Sequence, residues 1–381
     1  MSHQPPRMRD PRLDFFRGLA LYFIFLDHIP GNAVAWATVR NFGFSDATEI
    51  FVFIAGFAAF VAYSRTSERH GMGFACARVW RRCWELYTTH IILFVLYSAQ
   101  IAWVVSTYDN PIFADEMNMV GFIEDPHVTL VQALLLKFRP VNMDVLPLYI
   151  VLLLGFPLAL WLMRRSLGLV LAGSTALWLA ARWYDVNLPV YPEGRGWFFN
   201  PFAWQFLFIL GAAAASRAAW LESLNRVRRL LLPPAVAYLL FAALVALGWR
   251  FTMLEGLVPD RLQRWMYPID KTNLDLLRLL HFAALAYVVT QLVRPQAAFL
   301  RRRWARPVIV TGQHSLEVFS LGTLLAFVAH FGLVQSGGGL AAQAAASAAG
   351  VLLMTGLAYL LSWYKAMEGA GRGAGAEGRA S

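Results

Sequence analysis

Charge is what this chain has least of. Only 15% of its 381 residues are Asp, Glu, Lys or Arg, while 58% are hydrophobic. A soluble domain carries about 25% charged residues, so a soluble domain of any size is excluded. Cysteine is scarcer still: Cys76 and Cys83 are the only two. They lack metal-ligand spacing and fall in a basic stretch assigned below to the cytoplasm, where thiols stay reduced, so neither a disulfide nor a function is expected of them. Without HExxH or a cysteine cluster, no metal site is expected. No internal repeat of fixed period is visible.

What the chain has instead is long apolar runs. Stretches of roughly 18 or more residues, each able to cross about 30 Å of hydrocarbon, recur near 15–36, 46–63, 86–105, 145–163, 167–183, 201–219, 230–249, 276–293, 308–331 and 340–363. Lipid tolerates only helices or closed barrels, and continuous runs read as helices. The expected fold is therefore all-α, a polytopic membrane bundle of about ten transmembrane helices. The 14 Trp, 13 Tyr and 28 Phe suit aromatic belts at the two interfaces.

The distribution of charge sets the orientation. With the N-terminus inside, the inner segments hold Arg7, Arg9, Arg12 and Arg17; Arg65, Arg69, Arg78, Arg81 and Arg82; and Arg164 and Arg165. They continue with Arg217, Arg226, Arg228 and Arg229; Arg294, Arg301, Arg302, Arg303 and Arg306; and Lys365, Arg372 and Arg379. These are most of the 33 basic residues, and the bias places both termini in the cytoplasm. The net charge of +10 thus reflects membrane topology, and no nucleic-acid partner is expected. Acids collect in the outer stretches 106–144, 184–200 and 250–275, which are long enough to build a surface over the bundle. The chain divides into a cytoplasmic segment 1–14, a membrane domain 15–365 and a Gly/Ala-rich tail 366–381 that is expected to be disordered. The basic start, the apolar run Gly18–Leu26 and Ala33-Val34-Ala35 imitate a cleaved signal peptide. Asp14, Arg17, Asp27 and His28 interrupt that pattern, and Pro30-Gly31 fits a kinked, retained helix.

Ionisable groups within spans cost roughly 2.5–3.5 kcal/mol at the centre of a helix and call for an explanation. In the first span Arg17 and His28 lie eleven residues apart, so they face the same way within roughly 20° at about 16 Å separation. Asp14, three residues before Arg17, can pair with it. One reading is an anion site at the inner mouth of a channel with a proton acceptor, His28, at its reactive end. The plainer reading makes Arg17 a topology anchor and His28 an interfacial polar residue. Asp46 and Glu49 open the second span, where the helix dipole favours carboxylates; capping explains Asp46, and Glu49, one turn deeper, is placed to orient His28. Gly56 permits close approach of another helix. His281, His314 and Glu317, like Gln313 and His90, are each read first as hydrogen-bonding groups of the bundle interior. Trp197–Gln205, with Asn200 and Trp204, offers either rings for a sugar or an aromatic belt.

Several of these segments resemble the OpgC family, which succinylates osmoregulated periplasmic glucans. They are Arg12–Ala20 (RLDFFRGLA), Phe25–Asn32 (FLDHIPGN), Asn41–Phe57, Trp197–Gln205 and Gly312–Phe319. The spacing of Arg17 and His28 is similar to the Arg-x10-His signature of the related acyltransferase-3 superfamily. Glu49–Phe57 resembles its acidic-Phe-Phe element, with Ala55 where serine is usual, so no hydroxyl role carries over there. The resemblance implies a multi-pass enzyme of the bacterial inner membrane with no bound cofactor. It would move an acyl group, succinyl by likeness, from cytoplasmic acyl-CoA to a hydroxyl of a periplasmic glucan. Arg17 and Asp14 would serve the donor, His28 would be the base, and Glu49, or less favourably Asp27, would orient it. Asp46, Asn200, Trp204, His281, His314 and Glu317 would support the site or the acceptor. Glucan-synthesis proteins would be the protein partners. The rival readings are a transporter or glucan-export permease, and a catalytically silent member of a synthesis complex. Paired broken helices in two repeated halves, frequent in transporters, are not found.

Overall fold

The computed structural model describes residues 10–377 apart from 195, 218–222 and 255. Among the described residues every regular element is helical. The longer helices are α1 (Pro11–Asp27), α2 (Ala47–Tyr108), α3 (Val145–Arg165), α4 (Leu167–Tyr184), α5 (Pro201–Ser216), α6 (Arg228–Gly248), α7 (Leu276–Leu292), α8 (Ala305–Gln313), α9 (Ser315–Gln335) and α10 (Leu340–Glu377). Five of them, α2, α3, α6, α9 and the part of α10 up to Glu368, are long and apolar enough to cross a membrane. Many large apolar side chains on these helices stay exposed, among them Ile92, Leu158, Leu240 and Leu352. Exposed apolar faces on membrane-length helices suit lipid as solvent.

The helices start where the sequence supplies caps. Asp46 accepts from Thr48 N–H at 2.8 Å while Glu49 reaches back to Asp46 N–H at 2.9 Å, a reciprocal capping box at the head of α2. Asn200 caps α5 ahead of Pro201, and Asp10 caps α1 ahead of Pro11.

Three expectations need correction. The basic stretch 64–85, left between two expected spans, is helical: α2 continues through it and turns only at Gly71 (φ 82°, ψ 165°). That turn folds the chain back sharply enough for Arg78 to donate to Thr66 Oγ1 at 2.6 Å. The first helix ends at Asp27 rather than near 36, and residues 33–37 and 39–41 form short 3-10 turns. The ninth apolar stretch is two helices, broken at His314 (φ −114°, ψ 44°). The last helix, α10, is described as far as Glu377, and residues 378–381 of the tail lie outside the described residues.

The chain forms two compact units. Unit 2, residues 39–288, holds α2 to α6 and most of α7. Its core is aromatic, with Phe156 edge-on to Phe208 and Phe94 edge-on to Phe138. Within it α2 packs chiefly on α5 and α3. Gly56 and Gly211 make the α2–α5 contact possible, because a Cβ on either would collide with the backbone carbonyl of Phe208 or Phe53 on the other helix. Unit 1, residues 1–38 and 289–381, holds α1, α8, α9 and α10. There Gly18 and Gly312 bring α1 and α8 together in the same way, against Val308 and Asp14.

Candidate functional site

In unit 1, α1 carries Arg17 and Asp14 near its start. Arg17 Nη1 lies 3.8 Å from Asp14 Oδ1, the i,i+3 pairing anticipated from spacing. Asp14 is buried, and Gln313 at the end of α8 reaches its other oxygen at 3.5 Å. At the far end of α1, His28 closes the last turn through its backbone N–H to Ile24 O at 3.0 Å. Asp27 accepts from Thr38 Oγ1 at 2.8 Å, which ties the unwound stretch to the helix end. Ala33 N–H donates to Gln343 at 2.6 Å and Asn32 Nδ2 to Ser347 at 3.0 Å, so α10 holds the same stretch from the other side.

His314, at the break between α8 and α9, is buried. Its Nε2 lies 2.8 Å from Ser362 Oγ and its Nδ1 lies 3.4 Å from Lys365 Nζ, both on α10. Glu317, expected beside it, is exposed on the first turn of α9.

Unit 2 contains a buried ionic cluster. Glu49 is fully buried; Arg278 of α7 meets its Oε1 through Nε at 2.8 Å and Nη2 at 2.6 Å, and its Oε2 accepts from Asp46 N–H. Asp46 accepts from Lys271 at 2.6 Å and from Arg278 at 3.1 Å. Two carboxylates thus face two cations, and the charge balances inside the fold. Glu49, expected to orient His28, has both of its oxygens engaged within unit 2. Its observed work is to hold the head of α2 to α7. Sequence reasoning missed Lys271 and Arg278. The available signal was Arg278 itself, a cation inside an apolar run.

Asn200 and Trp204 act on this cluster through the backbone. Trp204 is fully buried, and its Nε1–H donates to the carbonyls of Lys271 and Thr272 at 3.1 and 3.2 Å. Asn200 N–H donates to Thr272 O at 3.1 Å, and its side chain to Asn273 Oδ1 at 2.7 Å. These bonds fix the loop that presents Lys271. The idea of Trp204 as a stacking surface is thereby corrected: Trp197, Phe199 and Trp204 are buried, and of these neighbouring rings Phe198 alone is exposed. His281, one turn beyond Arg278, lies 2.7 Å from Ser45 Oγ through Nδ1, with Gly43 too close to admit a side chain.

The structure therefore gathers the expected residues into two groups. Asp14, Arg17 and Gln313 meet in unit 1; Asp46 and Glu49 meet in unit 2, with Asn200 and Trp204 supporting them. Among the described residues no three His, Cys, Asp or Glu side chains cluster as a metal would need. Cys83 is buried and Cys76 half-buried, and both are free thiols.

An all-helical chain with membrane-length apolar helices and buried, paired charges is a helical membrane protein. It matches the family model of the OpgC protein over residues 9–366, nearly its whole length, and belongs to that family. Membership makes it an acyltransferase-type enzyme. No curated protein and no solved structure matches it.

Proposed function

We propose that this protein is an O-acyltransferase of the bacterial inner membrane. It crosses the bilayer about ten times with both termini in the cytoplasm, and carries an acyl group, succinyl by family likeness, from cytoplasmic acyl-CoA to hydroxyls of a periplasmic glucan. What supports this most is α1. It pairs Arg17 with Asp14 near its start and bears His28 at its last turn, about 16 Å away by helix rise.

In the reaction His28 accepts the proton of a sugar hydroxyl as the oxygen attacks the thioester carbonyl. The carbon–sulfur bond then breaks, the CoA thiolate leaves, and the imidazolium returns the proton to it. Arg17 meets phosphate of the donor, for which its planar fork is suited, and Asp14 with Gln313 sets its direction. Asp27 and Thr38 anchor the backbone next to the base, so the imidazole stays where the helix ends. The ionic cluster of Asp46, Glu49, Lys271 and Arg278 braces unit 2.

Purified protein incubated with succinyl-CoA and neutral glucan tests the reading, with mass spectrometry of the glucan as readout. Wild type should yield anionic glucan, and His28→Ala, inserted normally, should yield none. Full activity in that variant would remove His28 as the base. Movement of glucan across a vesicle membrane without acylation would instead establish a transporter.

A further inference from the structure

Unit 1 has a second cationic feature that this reaction leaves unused. From Arg294 to Arg306 the chain holds Arg301, Arg302, Arg303 and Arg306 without a single Asp or Glu. These four are exposed, and the ion pairs formed among the described residues involve none of them. Amid them stands Trp304, 61% exposed. Its ring lies nearly parallel to Phe299, at 11° with centroids 5.7 Å apart. Phe15 of α1 closes edge-on against both, at 5.4 Å from Phe299 and 6.5 Å from Trp304. The indole is thus fixed by two phenylalanines while most of its surface stays open, and unpaired guanidinium groups border it in the sequence.

A flat, immobilised π surface beside arginines matches a purine nucleotide. Bases stack on aromatic rings whatever their sequence, and guanidinium groups bind phosphate bidentately. Exposed Trp84 also stacks, on Tyr87, but the arginines beside it, Arg81 and Arg82, are paired with Glu85. Position narrows the ligand further. Phe15, which braces the platform, precedes His28 by thirteen residues, about 20 Å along the axis of α1. One molecule reaching from one to the other must be long, anionic and aromatic at one end and reactive at the other. A CoA thioester has that form.

We propose that Trp304, with Arg302, Arg303 and Arg306, docks the adenosine 3′,5′-bisphosphate end of the acyl donor. The proposal rests on the acyl-CoA reading above and adds a binding site separate from Arg17.

The test uses full-length protein in a neutral detergent with adenosine 3′,5′-bisphosphate as probe, alongside steady-state acylation. The bisphosphate should bind wild type and compete with acyl-CoA. Trp304→Ala should raise the KM for acyl-CoA about tenfold, within the usual worth of base stacking, and leave kcat nearly unchanged; Trp304→Phe should recover most of the loss. The pair Arg302→Gln and Arg303→Gln should weaken binding and flatten its salt dependence, which keeps the test open should Trp304→Ala fail to fold. Trp80→Ala, at another exposed tryptophan (65%), should change nothing. Wild type that acylates glucan but neither binds nor is inhibited by the bisphosphate would overturn the proposal. So would an unchanged KM in the Trp304 and arginine variants, or a dependence of Trp304 on anionic-lipid vesicles alone. Bisphosphate binding without any acyl transfer would leave the platform standing and remove the reaction instead.

Discussion

Arg278 meets Glu49 at 2.6 and 2.8 Å although 229 residues of chain separate them. Both side chains are buried, so neither has water to fall back on. Removing one partner of a buried pair costs roughly 3–5 kcal/mol, because it strands the other charge. Arg278→Met and Glu49→Met should therefore each lower stability by about that amount, read as the midpoint of denaturant unfolding in detergent. The double variant should be more stable than either single one. If the losses simply add, the two charges do not depend on each other.

Arg17→Gln should raise the KM for acyl-CoA with little change in kcat, and Arg17→Lys should restore part of the affinity, because an ammonium keeps the charge and loses the fork. Steady-state kinetics over donor concentration decide this. A fall in kcat at unchanged KM would instead place Arg17 at the reacting atoms.

Gly71 holds a backbone conformation that is essentially reserved for glycine (φ 82°, ψ 165°). Gly71→Ala should destabilise by about 1–3 kcal/mol, although nothing lies within 4 Å of an added methyl group. Because the strain is in the backbone rather than in packing, Gly73→Ala, also in open space, should be nearly silent. Equal thermal shifts in the two variants would refute this account.

At Gly56 and Gly211 the cost arises differently. A methyl group at either position runs into backbone carbonyl oxygen, which cannot rotate away as a side chain does. Each Gly→Ala change should cost about 1–3 kcal/mol, in the range of overpacked cores, with serine no better. Wild-type melting temperatures for both would show that the helices can separate freely.

How legible all this was depended on range. The all-helical architecture could be read because apolar runs and caps are local: Asp46, Glu49 and Asn200 announce their helices within three residues. The Arg17–Asp14 pair was visible for the same reason. The helix through 64–85 and its turn at Gly71 went unseen because the arginines there interrupt the apolar run, although they sit on helix. The break at His314 has no proline to mark it. Arg278 and Lys271 were missed because their partners lie 225 to 232 residues away, and spacing along one helix says nothing about such pairs. The place of Trp204 stayed open between sugar platform and aromatic belt, because an aromatic cluster looks alike whether it faces outward or clamps a loop from beneath.

The early end of α1 reaches beyond geometry. Seventeen residues of helix rise only about 25 Å, less than the thickness of a lipid interior, so the peptide groups after Asp27 lose the self-sufficiency that lets a helix sit in oil. Gln343 and Asn32 accept from two of them, and short turn bonds such as Asn32 N–H to Ile29 O and Ala35 N–H to Asn32 O take up others. If His28 is the base proposed above, the shortness of its helix sets it toward a lipid–water boundary, where moisture as well as sugar can arrive, and the enzyme has to tell an alcohol from water. Slow loss of the acyl donor to hydrolysis, when no carbohydrate is offered, is the natural signature of such a wet doorway.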